Sequence, residues 1–486
     1  MEEVLTAIIA AGVVVLLVMG GVVAVGGLLH WTKQRSSGYF SLFPYLTLLA
    51  YALLVFSAGR DFTVSTGALD PIAPRSPLVA TVQMMVSIML VMAAGERVLN
   101  FAVSARQRTG APVVVLTVAF TLYWFCTVAV TAFLGAHPQA SHDMLYPPLF
   151  GVAAMLMSEE DAESALRRAR NALLWFMGAG WILLGLVPNM AADFHYTQGF
   201  LPGVPRFAGF AAHAVSLGML AQIALLCLWA RPIQSLWLNR LCWGMGLLTL
   251  FLAQSKTAWM SFTVCALAMA WVRGSAGIGR AIQSPKNQST MVVGLGLAIL
   301  GLFGVGIQLT FGNVAGKLQR FFDSAEGAQL TSLTGRDQIW AVTWQEWERS
   351  PVFGYGLSMF DLNHRMQVGI SAATHAHNQF MDTLGRSGMV GAAALTIYAI
   401  ALLYYSVRFA KASYGLSVAL FLALALRAIS EVPLTVSGYG PEFLPHLLLL
   451  VVLAGCARGT RLEPHRQLKT EQMLNPSAHL APRPLP

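Results

Sequence analysis

Leu333-Thr334-Gly335-Arg336-Asp337-Gln338-Ile339-Trp340 begins, and Thr374-His375-Ala376-His377-Asn378-Gln379 ends, the longest polar interval of the chain. Gly354-Tyr355-Gly356 punctuates its middle, and Gly388-Met389-Val390-Gly391 follows inside the next apolar run. The interval holds Arg336, Arg349, Arg365, His364, His375 and His377, and hydrophobic sequence lies on either side. A water-facing loop of that content between membrane helices is where chemistry is expected, because scaffold elements position and loops act.

Composition supports that frame. Of 486 residues, 56% are hydrophobic and 11% are charged, whereas soluble domains carry roughly 25% charged residues. Mean hydropathy is +0.61. The reading is an all-α, polytopic membrane protein. A span needs about 20 apolar residues. That rule places spans near 4–29, 39–59, 77–95, 113–135, 144–157, 171–190, 207–230, 240–254, 257–272, 291–311, 385–407, 414–430 and 443–457, or about 12–13 helices. Residues 1–457 then form one membrane domain, with 312–384 as its large outward loop, and 458–486 form a Pro-rich, disordered tail. The first run lacks a basic leader and is read as a span, not a cleaved signal.

The net charge of +9 does not point to nucleic acid, because the basic residues lie between apolar spans. Anionic headgroups and topology account for it better. Most Lys and Arg, including Arg97, Arg167, Arg168, Arg170, Arg231 and those of the tail, fall in one set of loops. That set marks the cytoplasm, which puts the 312–384 loop outside. Ser158 to Arg170 reads as a short, solvated amphipathic connector, acids first and bases last. Cys126, Cys227, Cys242, Cys265 and Cys456 all lie in apolar runs, so no disulfide is expected. No metal-ligand spacing and no nucleotide loop is found, so no metal and no cofactor is expected.

The outward side concentrates the candidates. Arg206 is expected to open the seventh span, with His213 two turns deeper on the same helix. Lys256 lies in Gln254-Ser255-Lys256-Thr257, a very tight turn where Ser255 or Thr257 can cap the next helix. Arg336 precedes Ile339, Val342, Trp344 and Trp347, the spacing of an amphipathic helix that Thr334 or Asp337 can cap. Trp340 fits an interfacial belt or sugar stacking. His377 sits where the next span begins and can take a proton from a hydroxyl. His375, Asn378 and Gln379 can hydrogen-bond a polyol. Gly388 and Gly391 read as close-packing glycines that hold His377 in place. Arg206, Lys256 and Arg336 together suit a diphosphate.

His377-Asn378, nine residues, then Gly388-x-x-Gly391 resembles the signature of the O-antigen ligase and polymerase superfamily. Leu333-Thr334-Gly335-Arg336 to Trp340, Pro351-Val352-Phe353-Gly354-Tyr355-Gly356-Leu357 and Gln254-Ser255-Lys256-Thr257-Ala258-Trp259 are similar to its companion segments, in the same order. The resemblance implies a metal-independent, inverting glycosyltransferase of the bacterial inner membrane, with its active site facing the periplasm. The donor would be a glycan on undecaprenyl diphosphate. His377 would activate the acceptor hydroxyl, as base or by orienting it, and Arg336 would hold the diphosphate with Lys256 and Arg206. Lys256 stands where the family often has Arg, and Gly218 lies one residue beyond the Arg-x10-Gly spacing of some polymerases. The Leu-Thr-Gly-Arg and Ser-Lys-Thr wording is closest to the exopolysaccharide polymerase branch, which implies a chain-length regulator as partner. A ligase would instead accept lipid A-core. A lipid-linked glycan transporter is the rival from another class. It would place cations at the membrane midplane and show internal repeats.

Overall fold

The computed structural model describes residues 38–63, 77–103, 110–196, 203–282, 336–371 and 373–459. The expected spans 4–29 and 291–311, Gly335 and all but the first two residues of the tail lie outside them. Among the described residues the protein is all-α, apart from two residue pairs, Ala192–Asp193 and Arg206–Phe207, bridged antiparallel. Among the described residues, five helices are long and apolar enough to cross a membrane: Tyr39–Ser57, Gln83–Ala102, Ala111–Leu134, Glu159–Leu186 and Gln379–Arg408. Ala214–Ala230, Leu236–Leu252, Leu416–Ala428 and Phe443–Ala457 are shorter apolar helices. The chain forms two compact units. One comprises Met1–Thr121, His142–Trp259 and Gly438–Pro486, and the other Leu122–Ser141 and Met260–Ser437.

In the first unit, Ala214–Ala230 and Phe443–Ala457 are buried along nearly their whole length, as suits helices hydrophobic on every face. The segment 158–170 is not a separate solvated connector. It is the first half of one helix, Glu159–Leu186, because no Pro or Gly interrupts the run from Ser158 to Met177. Ser158 caps it by accepting the Asp161 N–H, with three acids in the first turn. The bases are tied down. Arg170 donates to the carbonyl of Pro232 at 3.1 Å, and Arg231 donates to Glu163 at 2.7 Å. Buried Arg97 donates to the Leu156 carbonyl at 2.7 Å and lies 3.5 Å from Asp161.

The expected 207–230 span is also broken. Arg206 lies in the bridged pair, Ala208–His213 is irregular, and the helix begins at Ala214. His213 is therefore not two turns into a helix. It is the cap, its Nδ1 accepting the Val215 N–H at 3.2 Å. Irregular backbone needs partners away from water. Arg60, 5% exposed, supplies them by donating to the carbonyls of Met190, Gly209 and Ala211.

In the second unit the organising element is Gln379–Arg408. It is two helical pieces joined at Gly388, where φ is 60° and ψ is −159°. Gly388 is thus a break, not a helix-packing glycine. The extended segment after Ser350 fills the break. Pro351 and Val352 carbonyls accept the N–H groups of Met389 and Val390, at 2.8 and 3.2 Å. Tyr355 and Gly356 N–H groups donate to the carbonyls of Gly385 and Arg386, at 2.8 and 3.0 Å. Gly391 is crowded by its own helix, since a Cβ there would lie 2.3 Å from the Ser387 Cβ. The π-turn Phe125–Ala129 packs alongside, and the Thr127 carbonyl accepts the Ser387 hydroxyl at 2.9 Å. Tyr123 stacks on Tyr398 with centroids 5.0 Å apart.

A Cβ at Gly388 would meet the Val352 carbonyl oxygen at 2.4 Å, at a backbone angle L side chains rarely adopt. Gly388→Ala is expected to cost at least ~2 kcal/mol and to lower the unfolding temperature in detergent by several degrees. An unchanged melting curve would remove the break from this account.

Candidate active site

The Thr374–Asn378 segment carries both histidines of the polar interval. It rests on a small apolar core of Tyr355, Met359, Phe360, Ile370, Ala373 and Ala376, against which Ile339, Val342 and Met381 pack. Ile339 and Val342 belong to Arg336–Arg349, which forms because its apolar residues recur at helical spacing. Its buried positions include Thr343 and Glu346, while Trp344 is exposed. Arg336 is its first residue, so its charge stands at the positive end of that helix.

His377 has φ of +50°, one of three non-glycine residues with positive φ among those described. Such a residue persists only where its surroundings over-determine it. Here they do. The Trp340 indole N–H donates to the Ala376 carbonyl at 2.8 Å. The Ala376 N–H donates to Asp382 Oδ1 at 3.0 Å, and the His377 N–H to His375 Nδ1 at 3.1 Å. Asn378 caps the following helix by accepting the Met381 N–H at 3.0 Å, and its amide donates to the Ile429 carbonyl at 3.3 Å. Gln379 is buried, accepting the Leu434 N–H at 2.8 Å and donating to Thr383 at 3.2 Å. Trp340, Asn378 and Gln379 thus commit these polar groups to the protein itself. Asp382 is in turn braced by Arg386, whose Nε donates to it at 3.0 Å and whose Nη1 donates to the Leu357 carbonyl at 2.6 Å.

The imidazoles converge on one carboxylate. Glu431 Oε2 lies 3.3 Å from His375 Nε2 and 3.5 Å from His377 Nδ1, and the rings are 4.2 Å apart. His377 Nδ1 is buried with no hydrogen-bond partner within normal range, so the carboxylate is its nearest ion-pairing neighbour. The His377 side chain as a whole is 30% exposed. Burial pushes the Glu431 carboxyl up, but the facing imidazoles of His377 and His375 and the charge of Arg427 outweigh it, leaving the group below its usual value. Burial pushes the His375 imidazole down, and the neighbouring His377 adds to that. The three ligand atoms lie within 4.8 Å of one another, so this group could hold a metal ion. No ligand spacing reveals it in the sequence, because Glu431 comes 54 positions after His377. In the arrangement described, His375 Nδ1 already accepts a backbone N–H. Its proton therefore belongs on Nε2, the atom that faces Glu431 and that a metal would need.

Arg206 and Lys256 both belong to the first unit. Arg206 stacks over Tyr196 at 4.3 Å and donates to the Ala253 carbonyl at 3.3 Å. Gln254, with φ of 47°, donates to the Val204 carbonyl at 2.8 Å. Lys256 then opens the helix Lys256–Ile282, and the Ser255 hydroxyl accepts the Ala258 N–H at 3.4 Å.

Residues 241–396 match the family model described as O-antigen ligase. That stretch, about a third of the chain, is similar to the O-antigen ligase family and supports kinship with the ligase and polymerase superfamily. The matched region contains Lys256, Arg336, Trp340, both histidines and the Gly388 break. The match supports a polymerase- or ligase-type function. No curated protein matches the chain.

Sequence reasoning missed Glu431, Asp382 and the bracing role of Arg386. The available signal for Glu431 was a lone acid just beyond an apolar helix, in Arg427-Ala428-Ile429-Ser430-Glu431-Val432-Pro433. Asp382 is 3% exposed. Asp382→Ala leaves Arg386 without its carboxylate and the Ala376 N–H without an acceptor, and is expected to destabilise the protein by roughly 3 kcal/mol. Asp382→Asn, which retains an acceptor oxygen, is expected to lose less. Chemical or thermal unfolding in detergent measures both, and equal losses would contradict the bridging role.

Proposed function

We propose that the protein transfers a glycan from a polyprenyl diphosphate donor to an acceptor hydroxyl on the outer face of the bacterial inner membrane. The observation that carries this reading is His377. It is held at a positive φ by surrounding hydrogen bonds, partly open to solvent, in the region that matches the family. A strained, over-determined residue of a titratable type is what a positioned acid–base group requires.

The chemistry follows from the residues. The acceptor hydroxyl gives its proton to His377 as its oxygen attacks the anomeric carbon. The bond from that carbon to the diphosphate oxygen breaks, and polyprenyl diphosphate leaves with the electron pair. Diphosphate is a good leaving group, so no protein acid is needed. Arg336, at a helix start, stabilises the charge that develops on it. Attack from the side opposite the leaving group inverts the anomeric configuration. The Leu-Thr-Gly-Arg and Ser-Lys-Thr wording favours polymerisation of repeat units over ligation to lipid A-core.

His377→Ala is expected to abolish transfer in a deletion strain while the protein still inserts. Single lipid-linked repeats accumulating as long polymer disappears would establish the polymerase. Full-length polymer retained on its carrier, with none on lipid A-core, would establish the ligase. Wild-type glycan pools would overturn the assignment of His377. Arg336→Lys is expected to lose at least tenfold in turnover, because a planar fork is replaced by a point charge. Unchanged turnover would remove Arg336 from the diphosphate site.

A further inference from the structure

Two histidines lie at the site, and either could be the base on residue type alone. We infer that Glu431 is the positioning residue that decides between them, by fixing which nitrogen of each ring carries the proton. The inference rests on the transfer reading above and deepens it.

A neutral imidazole has one N–H and one lone pair, and the partner of one nitrogen sets the state of the other. His375 is fully specified. Its Nδ1 accepts the His377 N–H at 3.1 Å, so the lone pair is there and the proton is on Nε2. That Nε2 lies 3.3 Å from Glu431 Oε2. Neither nitrogen of His375 is left to accept a proton from a substrate. His377 is specified from the opposite end. Its Nδ1 is buried, and its nearest ion-pairing neighbour is the same Glu431 oxygen, at 3.5 Å. A carboxylate only accepts, so Nδ1 carries the proton and Nε2 keeps its lone pair. Nε2 of His377 is therefore the basic nitrogen of the pair.

The carboxylate acts beyond tautomer choice. As Nε2 gains a proton, the ring becomes a cation with a negative charge beside its Nδ1. The 3.5 Å contact can shorten at that moment, since such bonds are often long before substrate binds. His375 serves as a spacer. It holds the His377 backbone through its Nδ1 and shares the carboxylate through its Nε2. Glu431 is itself anchored, its N–H donating to the Arg427 carbonyl at 2.8 Å, and Arg427 adds a positive charge nearby.

The test uses the full-length protein in nanodiscs, with histidine labelled with nitrogen-15. His375→Ala and His377→Ala provide the assignments. Expected is an unprotonated Nε2 with a protonated Nδ1 for His377, and the reverse pattern for His375. In Glu431→Gln the amide oxygen can accept from only one ring at full strength. A second tautomer of His377 is then expected, with kcat down on the order of 100-fold and donor KM within threefold. Glu431→Asp is expected to recover part of kcat, which a merely structural carboxylate would not do selectively. The inference is overturned if His377 carries its proton on Nε2 in the wild type, or if Glu431→Gln changes neither tautomer nor kcat. The transfer reading fails separately, by transfer persisting in His377→Ala.

Discussion

Everything in the second unit depends on backbone pairing across the break at Gly388. A helix in a membrane satisfies its own N–H and C=O groups, and any interruption leaves some of them without partners. The segment from Pro351 to Gly356 takes up those groups on both sides of the break, through bonds of 2.8–3.2 Å. Only glycine fits, because Gly388 needs a positive φ and the Val352 carbonyl lies where a Cβ would be. Gly354 is its counterpart, with φ of +74° and a Cβ position 2.4 Å from the Arg386 carbonyl. The break fixes the first helical piece against Leu357 and Phe360 through Arg386. That fixes Asp382, and Asp382 fixes the peptide immediately before His377.

The same chain of contacts explains how reactive groups survive in a sparingly charged protein. Glu431, His375 and His377 are each partly buried, and unpaired charge there would be costly. The carboxylate has two imidazoles facing it, and His375 Nδ1 accepts the His377 N–H. His375 and His377 are exposed to a similar degree, 28% and 30%, so both imidazoles reach the surface of the cluster. Asp382 and Arg386 pair one turn further on, with 5% and 18% side-chain exposure, and their charges act on His375 in opposite directions.

Much of this was legible from residue patterns with local causes. Hydropathy alone yields the all-α membrane class, since twenty-residue apolar runs have few other fates. The helix beginning at Arg336 and the Ser255 cap follow from spacing and capping chemistry, whereas Asn378, read as a group for a polyol, caps a helix instead. What was not legible is long-range. Glu431 reaches the histidines only because the helices Gln379–Arg408 and Leu416–Ala428 return the chain to where it began. Trp340, read as an interfacial or sugar-stacking ring, instead uses its N–H on Ala376 because the 336–349 helix lies against the histidine segment. Gly388 and Gly391 looked like a small-residue packing pair, and no local pattern distinguishes that from a break. Arg206 and His213 looked like one helix because the hydropathy is continuous from Phe207. The interruption is stabilised by Arg60, nearly 150 residues away in sequence.

The central claim is that His377 takes the acceptor proton during direct displacement of a lipid diphosphate. The measurement that bears on it most closely uses purified protein in nanodiscs with one defined glycosyl polyprenyl diphosphate. The products are analysed for anomeric configuration and released lipid diphosphate. One inverted linkage per lipid diphosphate released by the wild type, and none by His377→Ala that still binds donor, is the expected result. Retained configuration, or release and transfer at wild-type rate by His377→Ala, would contradict it.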